Sequence, residues 1–140
     1  MKIAIGSDHA GFEYKSKTIL FLEDVHGAQV LDVGTFSKES VDYPDYAHLV
    51  AEEVLGGADF GILICGSGNG VSMAANKHKK IRAALCWNPE TSKLARQHND
   101  ANILSLPARF IDPKEAENII KIFLATPFEG GRHKKRVEKI

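Results

Sequence analysis

Residues 60–78, FGILICGSGNGVSMAANKH, decide the fold. An apolar run ends in Cys65, and the stretch 60–66 (FGILICG), with few polar interruptions, predicts a strand buried in a parallel sheet. Glycines at 66, 68 and 70 follow at once, and then a helix of small residues, 69–78, that can pack close to its neighbours. Such a strand–turn–helix unit brings the backbone of its turn near a ligand or another element.

The same alternation extends in both directions. Short apolar stretches predict strands at 2–8 (KIAIGSD), 28–34 (AQVLDVG), 81–87 (IRAALCW) and 101–107 (ANILSLP). Between them, 12–27 has helical spacing in Tyr14, Thr18, Leu22 and Val25, with Gly27 as a stop. Pro44 opens a helix over 44–57, Asn88 caps one over 88–99, and Asp112 caps one over 112–126. The tail after Pro127 is basic and glycine-hinged, and predicts a last short helix. Five strands alternating with helices imply an α/β sandwich around a parallel sheet, with 1–140 as one domain. Ligands of such folds bind at the carboxyl ends of strands. Ser7, Asp8, His9 and the Cys65 loop are therefore the candidates.

Bulk properties narrow the function. Hydrophobic residues make up 44% and charged residues 26% of the 140, enough for a core. Lys plus Arg and Asp plus Glu are 18 each, so the chain lacks the basic excess of a general nucleic-acid binder. No run approaches a membrane span, and the N-terminus, broken by Gly6 and Asp8, does not read as a signal peptide. Two cysteines outside any CxxC pair fit a reducing, cytoplasmic setting.

Several chemistries for Cys65 fail on spacing. The glycines read GxGxG rather than the dinucleotide fingerprint GxGxxG, and position 88 is Asn where a ribose-binding acid belongs. No GxxxxGK[ST] is present. A cysteine phosphatase would want arginine at position 71, which is Val. A redox role lacks a local resolving cysteine. Two alternatives stay open: an apolar strand residue, as free cysteine often is, or a base. A helix N-terminus can lower a thiol's pKa, and backbone amides there can hold an oxyanion. A base beside an oxyanion site suits proton abstraction next to a carbonyl, hence aldose–ketose isomerisation, with no metal required if the amides carry the charge.

Around this core, Asp8 and His9 follow the first strand as loop or acid/base groups. His98 and Asn99 end a helix, where a histidine complements the dipole or shuttles protons. Arg132 and Arg136 lie four apart, a solvated basic tail or a phosphate clamp. The six histidines show no HxxxH or HExxH grouping and give no metal pattern.

Together IAIGSDHAGFEYK, DVGT, VDYPDYA, GILICGSGNGVSMAANK, IRAALC, ARQHNDANIL and EGGRHKKRV resemble the ribose-5-phosphate isomerase type B family, which includes allose-6-phosphate and galactose-6-phosphate isomerases. The match runs over residues 3–137. It implies a Rossmann-like three-layer α/β/α sandwich with a five-stranded parallel sheet of order 2-1-3-5-4. It implies a sugar-phosphate substrate, no cofactor, no metal, no nucleic-acid or membrane partner, and a homodimer or dimer of dimers with shared sites. On this resemblance Cys65 moves the proton between C1 and C2. Ser67, where the family often has threonine, keeps the hydroxyl. The amides of Gly66, Ser67, Gly68, Asn69 and Gly70, with Asn99, match the anion hole. His98 matches the ring-opening group reaching in from a partner. Asp8 and Tyr43 match sugar contacts, Asp8 also for hydroxyl proton transfer. His9, Arg109, Arg132 and Arg136 match the phosphate group, with His133 nearby. Relatives with a glutamate base carry serine at position 65; here position 65 is Cys and position 69 Asn. The alternatives are a six-carbon sugar phosphate, with loop 35–43 and residues near Asn99 setting the length, and a non-catalytic phosphometabolite-binding module.

Overall fold

The computed structural model describes residues 1–140. Five strands form one parallel sheet: β1 (Lys2–Ser7), β2 (Gln29–Asp32), β3 (Phe60–Cys65), β4 (Ala83–Leu85) and β5 (Ile103–Pro107). Their order is β2-β1-β3-β5-β4, the order the resemblance implies. The helices are α1 (Phe12–His26), α2 (Tyr43–Leu55), α3 (Asn69–Ala75), α4 (Pro89–Asn99), α5 (Pro113–Ala125) and α6 (Lys134–Val137), with 3-10 turns at His9–Gly11 and Gly131–His133.

Alternation along each strand assigns side chains to the two faces. Ile3, Ile5, Ile62, Ile64, Leu104 and Leu106 pack against α1, α4 and α5 through Leu22, Ala95, Ile119 and Phe123. Ala4, Leu63, Cys65 and Ile103 face α2 and α3 through Ala47, Val50, Val71 and Ala75. Each fully buried Ile or Leu contributes roughly 1.5–3 kcal/mol of transfer free energy. The small residues of α2 and α3 let those helices lie close over the inner strands.

The predicted caps form. Asn88 and Thr91 exchange hydrogen bonds in a capping box, Asp112 Oδ1 accepts from Glu115 N–H at 2.9 Å, and Gly27 ends α1 at φ +57. The exposed stripe of α1 departs from expectation. Thr18 and Leu22 are buried, but Val25 is exposed, and the buried face takes in Phe21 and Lys15 instead. Lys15 is 1% exposed. Its ammonium pairs with the Asp32 carboxylate at the end of β2, which satisfies a charge that would otherwise be costly to bury. β4 is shorter than 81–87 because its leading backbone turns away: Ile81 N–H bonds His78 O, and Arg82 N–H bonds Asn102 Oδ1. α3 ends at Ala75, before the expected residue 78, and residues 76–78 continue as a turn.

α1 and α3 follow adjacent strands yet lie on opposite faces. The chain therefore diverges after β1 and β3, at the carboxyl edge where folds of this kind bind their ligands.

Candidate active site

Cys65 is the last residue of β3, 5% exposed, with Pro107 of β5 beside it in register. Its Sγ accepts the Gly68 N–H at 3.1 Å. That geometry needs the chain to fold back sharply, and Gly68 does so at φ +76, in the left-handed region. The sequence leads one to expect a thiol pKa lowered by the helix N-terminus. The reverse holds: burial, reinforced by the negative charge of Asp8, pushes it up, while the N–H groups of Gly68, Ser67 and Val71 only partly oppose the shift. Cys86, also buried, is pushed up to about 12.

Asp8 is buried at the end of β1, and its Oδ1 accepts the Gly11 N–H at 3.0 Å. It caps the 3-10 turn, and its negative charge acts on the Cys65 thiol. His9 accepts the Val41 N–H on Nδ1 at 3.3 Å, so in the neutral ring Nε2 carries the proton. That bond also anchors the loop leading into α2, which presents Tyr43. The Tyr43 ring lies on Gly70: a Cβ added there would stand 2.4 Å from Tyr43 Cζ. Arg109 lies over Gly66 in the same way, 3.1 Å from such a Cβ, and its N–H bonds Gly66 O at 3.1 Å. Asn69 N–H bonds Ser67 Oγ at 3.3 Å. A cleft of about 380 Å³ adjoins the loop, lined by Ser67, Asn69, Leu85, Trp87, Pro107 and Phe110. Trp87 and Phe110 were not singled out from sequence.

The remaining candidates form a second cluster. α4 starts at the carboxyl edge of the sheet and, over 11 residues at about 1.5 Å each, returns roughly 16 Å to the amino edge. His98 and Asn99 end it there. They line a cleft of about 410 Å³ with His133, Arg136, Val137 and Ile140. The imidazoles of His98 and His133 stack at 4.2 Å with planes 13° apart. His133 is buried, and burial, then the neighbouring His98 and Arg132, hold its pKa below the usual histidine range. Arg132 and Arg136 are exposed, on the last 3-10 turn and on α6 rather than on one continuous helix. Arg96 braces this edge. Its guanidinium lies between the Phe60 and Phe123 rings and donates to Ala101 O at 2.6 Å and Thr126 O at 3.2 Å.

One chain thus does not bring Asn99 to the Gly66–Gly70 amides; the length of β5 separates them. The largest cavity, about 560 Å³, also lies away from the thiol, between residues 76–82 and the C-terminal segment. Lys77, Lys79, Lys80 and Lys134 line part of it, and it holds neither a nucleophile nor a base of the predicted set.

Comparison with known proteins completes the picture. The model of the family Ribose/Galactose Isomerase matches residues 3–140. The chain is 48% identical to ribose-5-phosphate isomerase B of Escherichia coli over 140 residues, covering 99% of this chain and 93% of that protein. The crystal structure of a ribose 5-phosphate isomerase from Thermotoga maritima superposes with TM-score 0.96 at 55% identity, covering 99% of this chain and 95% of that one. Ribose-5-phosphate isomerase B from Mycoplasma genitalium, solved with bound ribulose-5-phosphate, gives TM-score 0.94 at 45% identity, covering 99% and 92%. No helix here is long and apolar enough to cross a membrane.

Proposed function

This chain belongs to the Ribose/Galactose Isomerase family, and on that premise we propose that it interconverts ribose 5-phosphate and ribulose 5-phosphate through an enediolate, with Cys65 as the proton carrier. The observation that carries the proposal is the Cys65 thiol at the end of β3, accepting the Gly68 N–H at 3.1 Å at the head of the glycine loop.

Cys65, once ionised, takes the proton from C2 of the open-chain aldose. The electron pair moves to the C1 oxygen, and the enediolate charge is held by backbone amides of the 66–70 loop. Return of the proton at C1, with the C2 hydroxyl proton passed to the C1 oxygen by way of Asp8 or Ser67, gives the ketose with no net gain or loss of protons. Burial opposes ionisation of the thiol, and the three amides that point at it favour the thiolate. The main-chain donors supply what a Lewis acid otherwise would, so turnover proceeds in EDTA.

Ring opening and part of the phosphate grip come from a second copy. His98, Asn99, Arg132 and Arg136 gather at the amino edge of the sheet, whereas Cys65, His9, Tyr43 and Arg109 gather at the carboxyl edge. A homodimer, alone or as a dimer of dimers, that sets one edge against the other completes two sites at once. Residues 1–140 act as one catalytic domain whose basic C-terminal segment reaches the neighbour's sugar phosphate.

The test is ribulose 5-phosphate formation from ribose 5-phosphate by the purified protein in EDTA, alongside Cys65→Ala. A general base supplies about 10²–10⁴-fold, so the variant should lose at least that. An inactive wild type, or a fully active variant, overturns the proposal. Parallel kcat/KM values on allose 6-phosphate and galactose 6-phosphate fix the chain length preferred.

A further inference from the structure

Outside the thiol loop, one grouping has the chemistry of a metal site. The ligand atoms of His98, Glu129 and His133 lie within 4.8 Å of one another. Glu129 and His133 are four residues apart across the Gly130–Gly131 bend, but His98 is far away in sequence, so no local motif announces the trio. It is assembled by the fold. The Glu129 N–H bonds Gln97 O at 3.1 Å and fastens the C-terminal segment beside the end of α4. Arg96 holds the same helix end from beneath.

A second, independent feature points to a ligand. His133 is 6% exposed, and its Nε2 is buried without a hydrogen-bond partner. The Glu129 carboxylate oxygen nearest to it is 3.4 Å away, inside ion-pair range but not in hydrogen-bonding geometry. Buried polar atoms are seldom left unpaired. A separation of 3.4 Å is also about the edge of a tetrahedron whose metal–ligand bonds are 2.0–2.2 Å. Two of three ligands therefore already stand at coordinating distance.

We propose that His98, Glu129 and His133 bind a divalent transition metal of the zinc type, and that its binding turns the isomerase off by capturing His98. Two imidazoles and one carboxylate, with room for water at a fourth position, suit zinc rather than magnesium or calcium. In the stacked arrangement the in-plane lone pairs of the two rings cannot meet at one ion. His98, only half-buried, rotates out of the stack to complete the site, while the buried His133 stays in place. Arg132 and Arg136 flank the trio and keep the affinity below that of a structural zinc centre. The inhibitory half of the proposal rests on the isomerase role of His98; the metal site itself does not.

The experiment is titration of the full-length protein with Co²⁺ and Zn²⁺, each followed by isomerase assay. Co²⁺ should bind once per chain with visible bands of a four-coordinate site and no near-ultraviolet thiolate band. Glu129→Gln should bind Co²⁺ at least tenfold more weakly, keep its metal-free activity, and resist Zn²⁺. Wild type should lose activity in Zn²⁺ and regain it in EDTA. A thiolate band, affinity unchanged in Glu129→Gln, or affinity lost in Cys65→Ala would overturn the site. Full wild-type activity with the site loaded would overturn the switch. Metal affinity is read without substrate, so an inactive wild type would count against the isomerase assignment and leave the site standing.

Discussion

Gly70→Ala separates the site from the scaffold. Gly70 is the second residue of α3, with ordinary helical backbone, so alanine there is not strained. The added Cβ would stand 2.4 Å from Tyr43 Cζ, 2.5 Å from Cε2 and 2.8 Å from the hydroxyl. Carbon atoms need about 3.6 Å, so the ring tip must retreat by about 1.2 Å. Tyr43 is 42% exposed, and its free end can swing into solvent. The stability cost is therefore small, and the better helix propensity of alanine, up to about 1 kcal/mol, offsets it. Substrate positioning does not recover: a displacement of about 1 Å can cost on the order of 10²-fold. The expected result is a Tm within a few degrees of wild type and kcat/KM for ribose 5-phosphate reduced by one to two orders of magnitude. In a Tyr43→Ala background the glycine substitution should do little more, since there is no ring left to displace. Wild-type activity for Gly70→Ala, or additive losses in the double variant, would refute the placement of Tyr43 against the sugar. Gly11→Ala marks the contrast. Its Cβ would meet the backbone oxygen of Ile64 at 2.2 Å, which cannot step aside, so there stability itself should fall.

Three further outcomes follow from the same geometry. Iodoacetamide should modify Cys65 along a pH curve displaced upward from that of free cysteine, because a raised pKa keeps the thiol protonated to higher pH. Asp8→Asn removes a charge that raises it, so the curve should move to lower pH, with Cys86 silent at about 12; an upward or absent movement would exclude Asp8 as a neighbour of the thiol. Asn88→Ala removes one partner of the α4 capping box and should cost about 1 kcal/mol, or roughly 4 °C in Tm by calorimetry for a chain of this size; no change would mean that the end of α4 is held by packing alone. Co-expressed Cys65→Ala and His98→Ala chains, each inactive by itself, should regain about one quarter of wild-type activity, since half of randomly paired dimers carry one intact shared site. No recovery would place His98 and Cys65 in the same chain's site.

Local chemistry made much of this protein legible. Uninterrupted apolar runs such as 60–65 can satisfy their backbone only inside a sheet, and Asn88, Asp112 and Gly27 act through bonds spanning a few residues, so strands, caps and stops could be read directly. Motif order sufficed to indicate the family and the loop that holds Cys65. Folding alone decided what depends on distant segments meeting. The thiol's pKa follows from how deeply β3 is buried and from Asp8 arriving off another strand, which the glycine spacing does not encode. Lys15 lies on the buried face of α1 because Asp32, on β2, comes to meet it. The division of the candidate residues between two edges of the sheet, and the meeting of His98 with Glu129 and His133, arise because α4 runs antiparallel to the strands and carries its last residues away from the loop. Side-chain identity is inherited from the sequence, but proximity and dielectric environment are properties of the packed chain.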